Sequence, residues 1–342
     1  MTGEPVGAAT PGADGLPGPV VAIVGPTASG KSALADALAR SLGSAVVSVD
    51  AMQVYRGMDV GTAKEPASRR TSDLMMVDVV DPGEDYSVRL FQRDARACVD
   101  GLLARDLIPV LCGGTGLYLD AVVDRMDFPA GGQETPARRR YEAFARNHGA
   151  EALHYLLVVR DPRSAALIHP NNVRRVVRAL ELLDEGKSYS QVHKGLGSHD
   201  PFYETLIYAV VRDRQVLYER IDARVDLMFE EGLVDEVRGL LDRGLLRPET
   251  TASQAIGYKE VVAALSGQTS MEEARDLIKR NSRRYAKRQL SWIRRDGRAH
   301  PLDLDRMGVD RARDLVLEDL RLRAGGARAA GQGGEGEGHG TL

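Results

Sequence analysis

Residues 21–38 read VAIVGPTASGKSALADAL, and this stretch decides the fold. Residues 21–24 are an apolar, largely β-branched run, the composition of a strand covered on both faces of a parallel sheet. Gly25, Pro26, Thr27, Ala28, Ser29, Gly30, Lys31 and Ser32 then match G-x-x-x-x-G-K-[ST], and Ala33, Leu34, Ala37 and Leu38 recur behind them at helical spacing. Gly25 and Gly30 let the backbone curl around a polyphosphate without a Cβ in the way. The loop amides and the helix N-terminus face the anion, Lys31 reaches between phosphate oxygens, and the Ser32 hydroxyl can ligate Mg²⁺. With strand and helix both in place, the stretch predicts a phosphorylated ligand.

At 342 residues the chain has room for a large core and a second lobe, and 43% apolar with 28% charged residues is the balance of a soluble globular protein. No run approaches the length of a membrane span, and the acidic, apolar-poor first seventeen residues are not a signal peptide, so a cytosolic (cytoplasmic) protein with no membrane association is expected. Cys98 and Cys112 cannot form a C-x-x-C pair and read as packed thiols. The seven His form no H-x-x-x-H or mixed His and Cys cluster, so no zinc is assigned. A formal net charge of −3 argues against wholesale coating of nucleic acid, but the average hides a basic face. Between Lys279 and Arg298 there are nine Lys or Arg against a single acid, Asp296.

Residues 1–17 and 324–342, rich in Gly, Ala and Pro, are expected to be disordered tails. Residues 45–49 predict a second strand delivering Asp50 at its carboxyl end, and 74–80 a further strand. Ser87 suits the N-cap of a helix to about Ala104, and 108–111 a short buried strand closed by Gly113, Gly114, Thr115 and Gly116. Alternating strand and helix is the pattern of a doubly wound parallel sheet, whose ligands collect outside the carboxyl ends of the strands. Lys31, Asp50 and Thr115 all leave the sheet at that edge. From 128 to 200 the periodicity is helical, which reads as an inserted helical domain. The core is therefore assigned to 18–127 and 201–323, with 205–211 rejoining the sheet and helices over 215–231, 234–243, 251–265 and 271–294.

A carboxylate one strand from a phosphate loop can ligate Mg²⁺, cap a turn, or accept a proton, and Asp50 is open to all three. A nucleoside triphosphatase normally ends a neighbouring strand in an Asp that sits on Mg²⁺; here that strand ends in Cys-Gly-Gly-Thr. Thr115 follows two glycines that allow close approach of a ligand or simply a tight turn. Arg220 and Arg224 share a helix face, suited to pyrophosphate or to salt bridges. In 279–295, KRNSRRYAKRQLSWIRR, basic residues surround Tyr285 and Trp292, a mixture that suits a nucleic-acid backbone with unstacked bases nearby. Weaker basic groups lie at Arg138 to Arg140 and at Arg174, Arg175 and Arg178.

GPTASGKS at 25–32, SVDAMQVYRGMDVGTAK at 48–64, CGGTGLY at 112–118, IHPNNVRRVVRALE at 168–181, QAIGYKE at 254–260 and YAKRQLSWIRR at 285–295 together resemble the bacterial tRNA dimethylallyltransferases. The likeness spans roughly 20–305. It implies a P-loop NTPase-like parallel sheet flanked by helices, and transfer of a dimethylallyl group from dimethylallyl pyrophosphate to N6 of the adenosine 3′ of the anticodon, in tRNAs reading codons that begin with U. The partner is then the tRNA anticodon stem-loop, Mg²⁺ the cofactor, and a monomer the expected state. By the same resemblance Asp50 is the general base, Thr115 and Arg224 stand near the reacting groups, and residues 25–32 hold pyrophosphate, with Ser32 on the metal. The implied tRNA contacts are Asp50, Ala51, Met52, Gln53, Arg138, Arg174, Arg175, Arg178, Gln254, Gly257, Tyr258 and Lys259. Ser32 stands where relatives often carry Thr, and Ala51 and Gln53 where some carry Ser and Leu; no C-terminal zinc finger of the eukaryotic kind is present.

Overall fold

The computed structural model describes residues 16–128, 135–195, 199–248 and 250–332. Its larger compact unit runs to Asp124 and resumes at Pro201; the other is Arg125–Asp200. The larger unit opens with β1 (Val20–Val24), α1 (Lys31–Ser41), β2 (Ala45–Val49), β3 (Asp73–Met75), α2 (Val88–Leu103), β4 (Val110–Gly113) and α3 (Gly116–Val123). The smaller unit holds α4 (Pro136–Arg160), α5 (Pro162–Ala165), α6 (Val173–Asp184) and α7 (Tyr189–Gly195). The larger unit then adds β5 (Thr205–Val211), α8 (Arg214–Glu230), α9 (Leu233–Asp242), α10 (Tyr258–Leu265), α11 (Met271–Arg295), β6 (His300–Asp303) and α12 (Leu304–Gln332).

Every pairing in the six-stranded sheet, ordered β3-β2-β4-β1-β5-β6, is parallel. Both faces are covered, as the apolar strands require. Val20, Ala22 and Val24 of β1 enter the core built with α2, α3 and α8 to α11, while Val21 and Ile23 face the opposite core under α1 and α12. The strand's period of two thus feeds two cores from one run. Burying each of the valines and the isoleucine is worth about 1.5–3 kcal/mol. That rigidity fixes where the loops at the carboxyl edge begin. The smaller unit has its own core, in which Leu153 and Leu157 of α4 meet Val176, Val177 and Leu180 of α6.

Several boundaries differ from the sequence expectation for identifiable reasons. β4 starts at Val110 rather than 108, because Pro109 has no N–H for the ladder and offers only its carbonyl, to the Val21 amide at 3.0 Å. β3 stops at Met75 because Met76 and Asp78 take positive φ, 60° and 56°, which turns the chain out of the sheet. The helix expected from 251 begins at Tyr258; only a 3₁₀ turn forms at Ala252–Gln254, and Gly257, at φ 99°, is the N-cap with its amide on Glu260 Oε2 at 2.8 Å. β6 and α12 are additions that the periodicity does not announce. α12 continues to Gln332, so 324–332 are helical where the composition predicts a disordered tail; 1–15 and 333–342 of the expected tails lie outside the described residues.

Candidate active site at the carboxyl edge of the sheet

β1 ends at Val24 and the chain folds back at once over the N-terminus of α1. Gly30, at φ 95°, is the N-cap, a left-handed conformation that glycine adopts without penalty. A Cβ on Gly25 would lie 2.8 Å from Ser29 Oγ, so the first glycine of the motif is required by close approach. The loop is held from outside by arginines: Arg220 Nε donates to the Ala28 carbonyl at 2.9 Å and Arg212 Nε to the Ser29 carbonyl at 2.6 Å, and Arg212 is itself paired with Asp305 at the start of α12.

Thr27, Lys31, Ser32, Asp50, Gln53, Thr62, Arg224, Tyr285 and Gln289 line one cleft of about 1000 Å³. Of the buried cations lining it, Lys64 is paired with Asp59 and Asp78, whereas Lys31 and Arg224 bond to neutral oxygens. Lys31 Nζ reaches the Pro26 carbonyl at 3.3 Å, while Arg224 donates from Nη1 to Thr27 Oγ1 at 3.1 Å and from Nη2 to the Thr62 carbonyl at 3.4 Å. Arg224 Nε is buried with no hydrogen-bond partner among the described residues. Burial is the main cause that lowers both pKa values, and Asp50 works against it in both. Two desolvated cations satisfied only by neutral oxygens make an electropositive pit suited to a polyanion. Cys112, at the end of β4 on the floor of the cleft, is a buried free thiol that burial pushes up to about 11, and Cys98 is a half-buried free thiol, in keeping with packing roles for both.

Asp50 follows β2 directly, and its Oδ1 accepts the amides of Met52 at 2.8 Å and Gln53 at 3.4 Å. These bonds orient the carboxylate while leaving Oδ2 uncommitted to either amide. Gln53 ties the same turn down, its Oε1 taking the Ser48 hydroxyl at 2.8 Å and its Nε2 donating to the Thr62 carbonyl at 3.3 Å. Thr115 is the N-cap of α3, and its Oγ1 lies 3.3 Å from the Tyr285 hydroxyl. Burial, with Asp50 nearby, pushes Tyr285 up to about 12, so the phenol stays neutral and can donate.

The structure brings 25–32, Asp50, Thr115 and Arg224 to this one edge. The remaining expected residues are distributed differently. Gln254 and Lys259 are exposed, but Tyr258 is fully buried with its hydroxyl on Glu236 at 2.6 Å, so it braces a loop here rather than presenting itself to tRNA, and Gly257 is buried with it. In the smaller unit Arg174 and Arg175 are exposed, while Arg138, at 2.7 Å, and Arg178, at 3.7 Å, flank the buried carboxylate of Glu181. On α11, Arg284, Lys287, Arg288, Arg294 and Arg295 point outward, whereas Lys279 pairs with Asp226 and Arg283 with Asp222.

Tyr285 and Trp292 are both part-buried rather than splayed into solvent, and Tyr285 lines the cleft itself. Trp292 Nε1 donates to Asp120 Oδ2 at 3.2 Å, and a Cβ on Gly116 would lie 2.3 Å from its ring. Gln289, between them on the same helical face, is a site residue that sequence reasoning misses, although the spacing of 285, 289 and 292 marks one stripe. Arg212 and Glu236 carry no local signal at all.

The sequence matches the family described as IPP transferase over residues 53–296 and that described as isopentenyl transferase over 18–72. It is 47% identical over 277 residues to the tRNA dimethylallyltransferase of Geobacillus thermodenitrificans, covering 80% of this chain and 87% of the relative. It is 41% identical over 302 residues to that of Carboxydothermus hydrogenoformans, covering 88% and 96%. Among solved structures, the full-length tRNA isopentenylpyrophosphate transferase of Bacillus halodurans superposes with a TM-score of 0.66 at 40% identity, over 90% of this chain and 99% of that one. A eukaryotic dimethylallyltransferase acting on tRNA gives 0.72 at 28% identity, over 86% and 77%.

Proposed function

Because this chain belongs to the IPP transferase family, we propose that it transfers a dimethylallyl group to tRNA, the activity its relatives are named for. The donor is dimethylallyl pyrophosphate and the acceptor N6 of the adenosine 3′ of the anticodon, in tRNAs reading codons that begin with U. The observation that carries this reading is the cleft in which a phosphate loop, two desolvated cations and one oriented carboxylate meet.

Negative charge builds on the diphosphate as the allylic C–O bond stretches. Donors already in place, namely the amides at the start of α1, Lys31, and Arg224 braced on Thr27, meet that charge without reorganising. N6 of adenine is a weak nucleophile, so Asp50 orients the exocyclic amine and takes its proton as the new C–N bond forms. The target base has to leave the anticodon-loop stack to reach this edge. Ser32 offers a hard oxygen donor in the same cleft, as Mg²⁺ requires; it would help hold the ion there, and the ion would add positive charge against the departing diphosphate.

No helix among the described residues is long and apolar enough to cross a membrane. A tRNA acceptor makes this a cytoplasmic enzyme. A monomer is the state proposed for it. Incubation with labelled dimethylallyl pyrophosphate, Mg²⁺ and unmodified tRNA should place label in RNA without consuming ATP. ATP turnover with unlabelled RNA would assign the loop to a kinase instead.

A further inference from the structure

The loop at 59–62 is folded around one carboxylate. Glu236, on α9, accepts the backbone N–H of Asp59 and of Val60 through Oε2, each at 2.8 Å, and that of Gly61 through Oε1 at 3.2 Å. The same Oε1 takes the Tyr258 hydroxyl at 2.6 Å. A Cβ on Gly61 would lie 2.5 Å from the Tyr258 ring, so only glycine lets the loop pack this closely against it. Successive amides converging on an anion form a nest, and here the protein fills it with its own side chain.

What this holds in place is the next carbonyl. Thr62 O is shared by Arg224 Nη2 at 3.4 Å and by Gln53 Nε2 at 3.3 Å. Arg224 also reaches Thr27 of the phosphate loop at 3.1 Å, and the Gln53 amide closes the turn on Asp50 Oδ1 at 3.4 Å. One carbonyl therefore stands between the cation assigned to the leaving group and the turn that carries the base, and Glu236 sets where it lies.

We propose that Glu236, seated by Tyr258, is a positioning residue of the transfer reaction: by clamping the amides at 59–61 it fixes the Thr62 carbonyl and so the spacing of Asp50 and Arg224. It touches no reacting atom. The inference rests on the function proposed above, and it joins the buried end of the 254–260 segment to the reacting centre.

The test uses the full chain carrying Glu236→Gln, Tyr258→Phe, or both. Glutamine keeps the size but turns an amide donor toward backbone donors. For Glu236→Gln, kcat per active enzyme falls roughly 30- to 100-fold while KM for each substrate stays within about threefold. Tyr258→Phe loses about fivefold in kcat, and the double variant is no worse than Glu236→Gln, since both act through one contact. A purely structural role would lower the melting temperature and leave kcat per active enzyme unchanged; undiminished kcat in Glu236→Gln, or in Tyr258→Phe should the first variant not fold, overturns the proposal. A wild-type chain that labels no RNA overturns the functional reading and this inference together, whereas labelling by wild type beside an undiminished Glu236→Gln overturns the inference alone.

Discussion

Gln289 Oε1 accepts the backbone N–H of Thr27 at 2.8 Å, although the two residues are 262 positions apart in the chain. Its Nε2 donates to the Gly114 carbonyl at 3.0 Å, so one buried amide from α11 sets the phosphate loop against the loop that carries Thr115. Gly114 has no room for a side chain, because a Cβ would lie 2.1 Å from that Nε2.

Truncating Gln289 to alanine strands a part-buried donor and a buried acceptor, the latter at a cost of about 1–3 kcal/mol. The expected result is a loosened loop, with pyrophosphate binding weakened about tenfold by calorimetry. A glutamate at this position would keep the acceptor for Thr27 while losing the donor and placing negative charge beside the anion, so Gln289→Glu should bind more weakly still. Unaltered pyrophosphate affinity in both variants would remove Gln289 from the site.

The Asp50→Asn variant keeps an acceptor oxygen for the Met52 and Gln53 amides, so the turn persists while the base is lost. Turnover should drop about 10²-fold or more with both KM values near wild type, measured under single-turnover conditions so that product release does not mask the chemical step. Full turnover in this variant would remove Asp50 as the base.

Lys31 and Asp50 are legible in the sequence because each follows from a strand with a local apolar signature, and the parallel-sheet rule then puts both at one edge. Gln289 and Glu236 are not, since their partners at Thr27 and at 59–61 are reached only after α9 and α11 pack across the sheet. Tyr258 misleads for a related reason. Its motif implies contact with tRNA, but a tyrosine following a positive-φ glycine N-cap is carried into the core, and its neighbour Lys259 takes the exposed position. β6 escapes notice because four residues with a proline are too few for a periodic signal.

Lys31 gives a proton linkage whose sign is fixed by its surroundings. Burial lowers its pKa from the ordinary 10.5, and a bound diphosphate favours the charged form, which raises it again. Binding therefore takes up a proton at any pH between the free and bound values, and affinity declines as pH rises through the free value. Without ligand the unfolded chain holds this proton more tightly than the native one, so the group's contribution to stability increases with pH across the window from its lowered value to 10.5. Titrations with pyrophosphate at alkaline pH, in buffers of differing ionisation enthalpy, should report net uptake; net release would contradict the burial argument.

Glycine substitutions separate close packing from mere conformational freedom. A Cβ at Gly113 would lie 2.0 Å from the Val49 carbonyl oxygen, where β2 and β4 pair, and a backbone atom cannot swing aside. Gly113→Ala should destabilise by about 3 kcal/mol. Gly101, exposed on α2 with nothing within 4 Å of its Cβ position, is the control: Gly101→Ala should stabilise by about 0.5–1 kcal/mol. Denaturant midpoints compare the two directly, and equal effects would place β2 and β4 further apart than described.

The two sides of α11 do different work. Its inner stripe is occupied by Tyr285, Gln289 and Trp292, and Lys279 and Arg283 are already neutralised by Asp226 and Asp222. Lys287 and Arg294, on the exposed side, are available to phosphates, and each phosphate they neutralise releases a counterion. Replacing either by alanine should reduce the slope of log affinity against log salt for tRNA by about 0.7–0.9, leaving kcat at saturating tRNA unchanged. The same change at Lys279 or Arg283 should alter the slope less and cost no more than about 1 kcal/mol of stability, because the partly exposed Asp226 and Asp222 they pair with are solvated once freed. A slope that ignores Lys287 and Arg294 would make the basic face a solvated helix surface, and a net charge of −3 would then describe the whole molecule as well as its average.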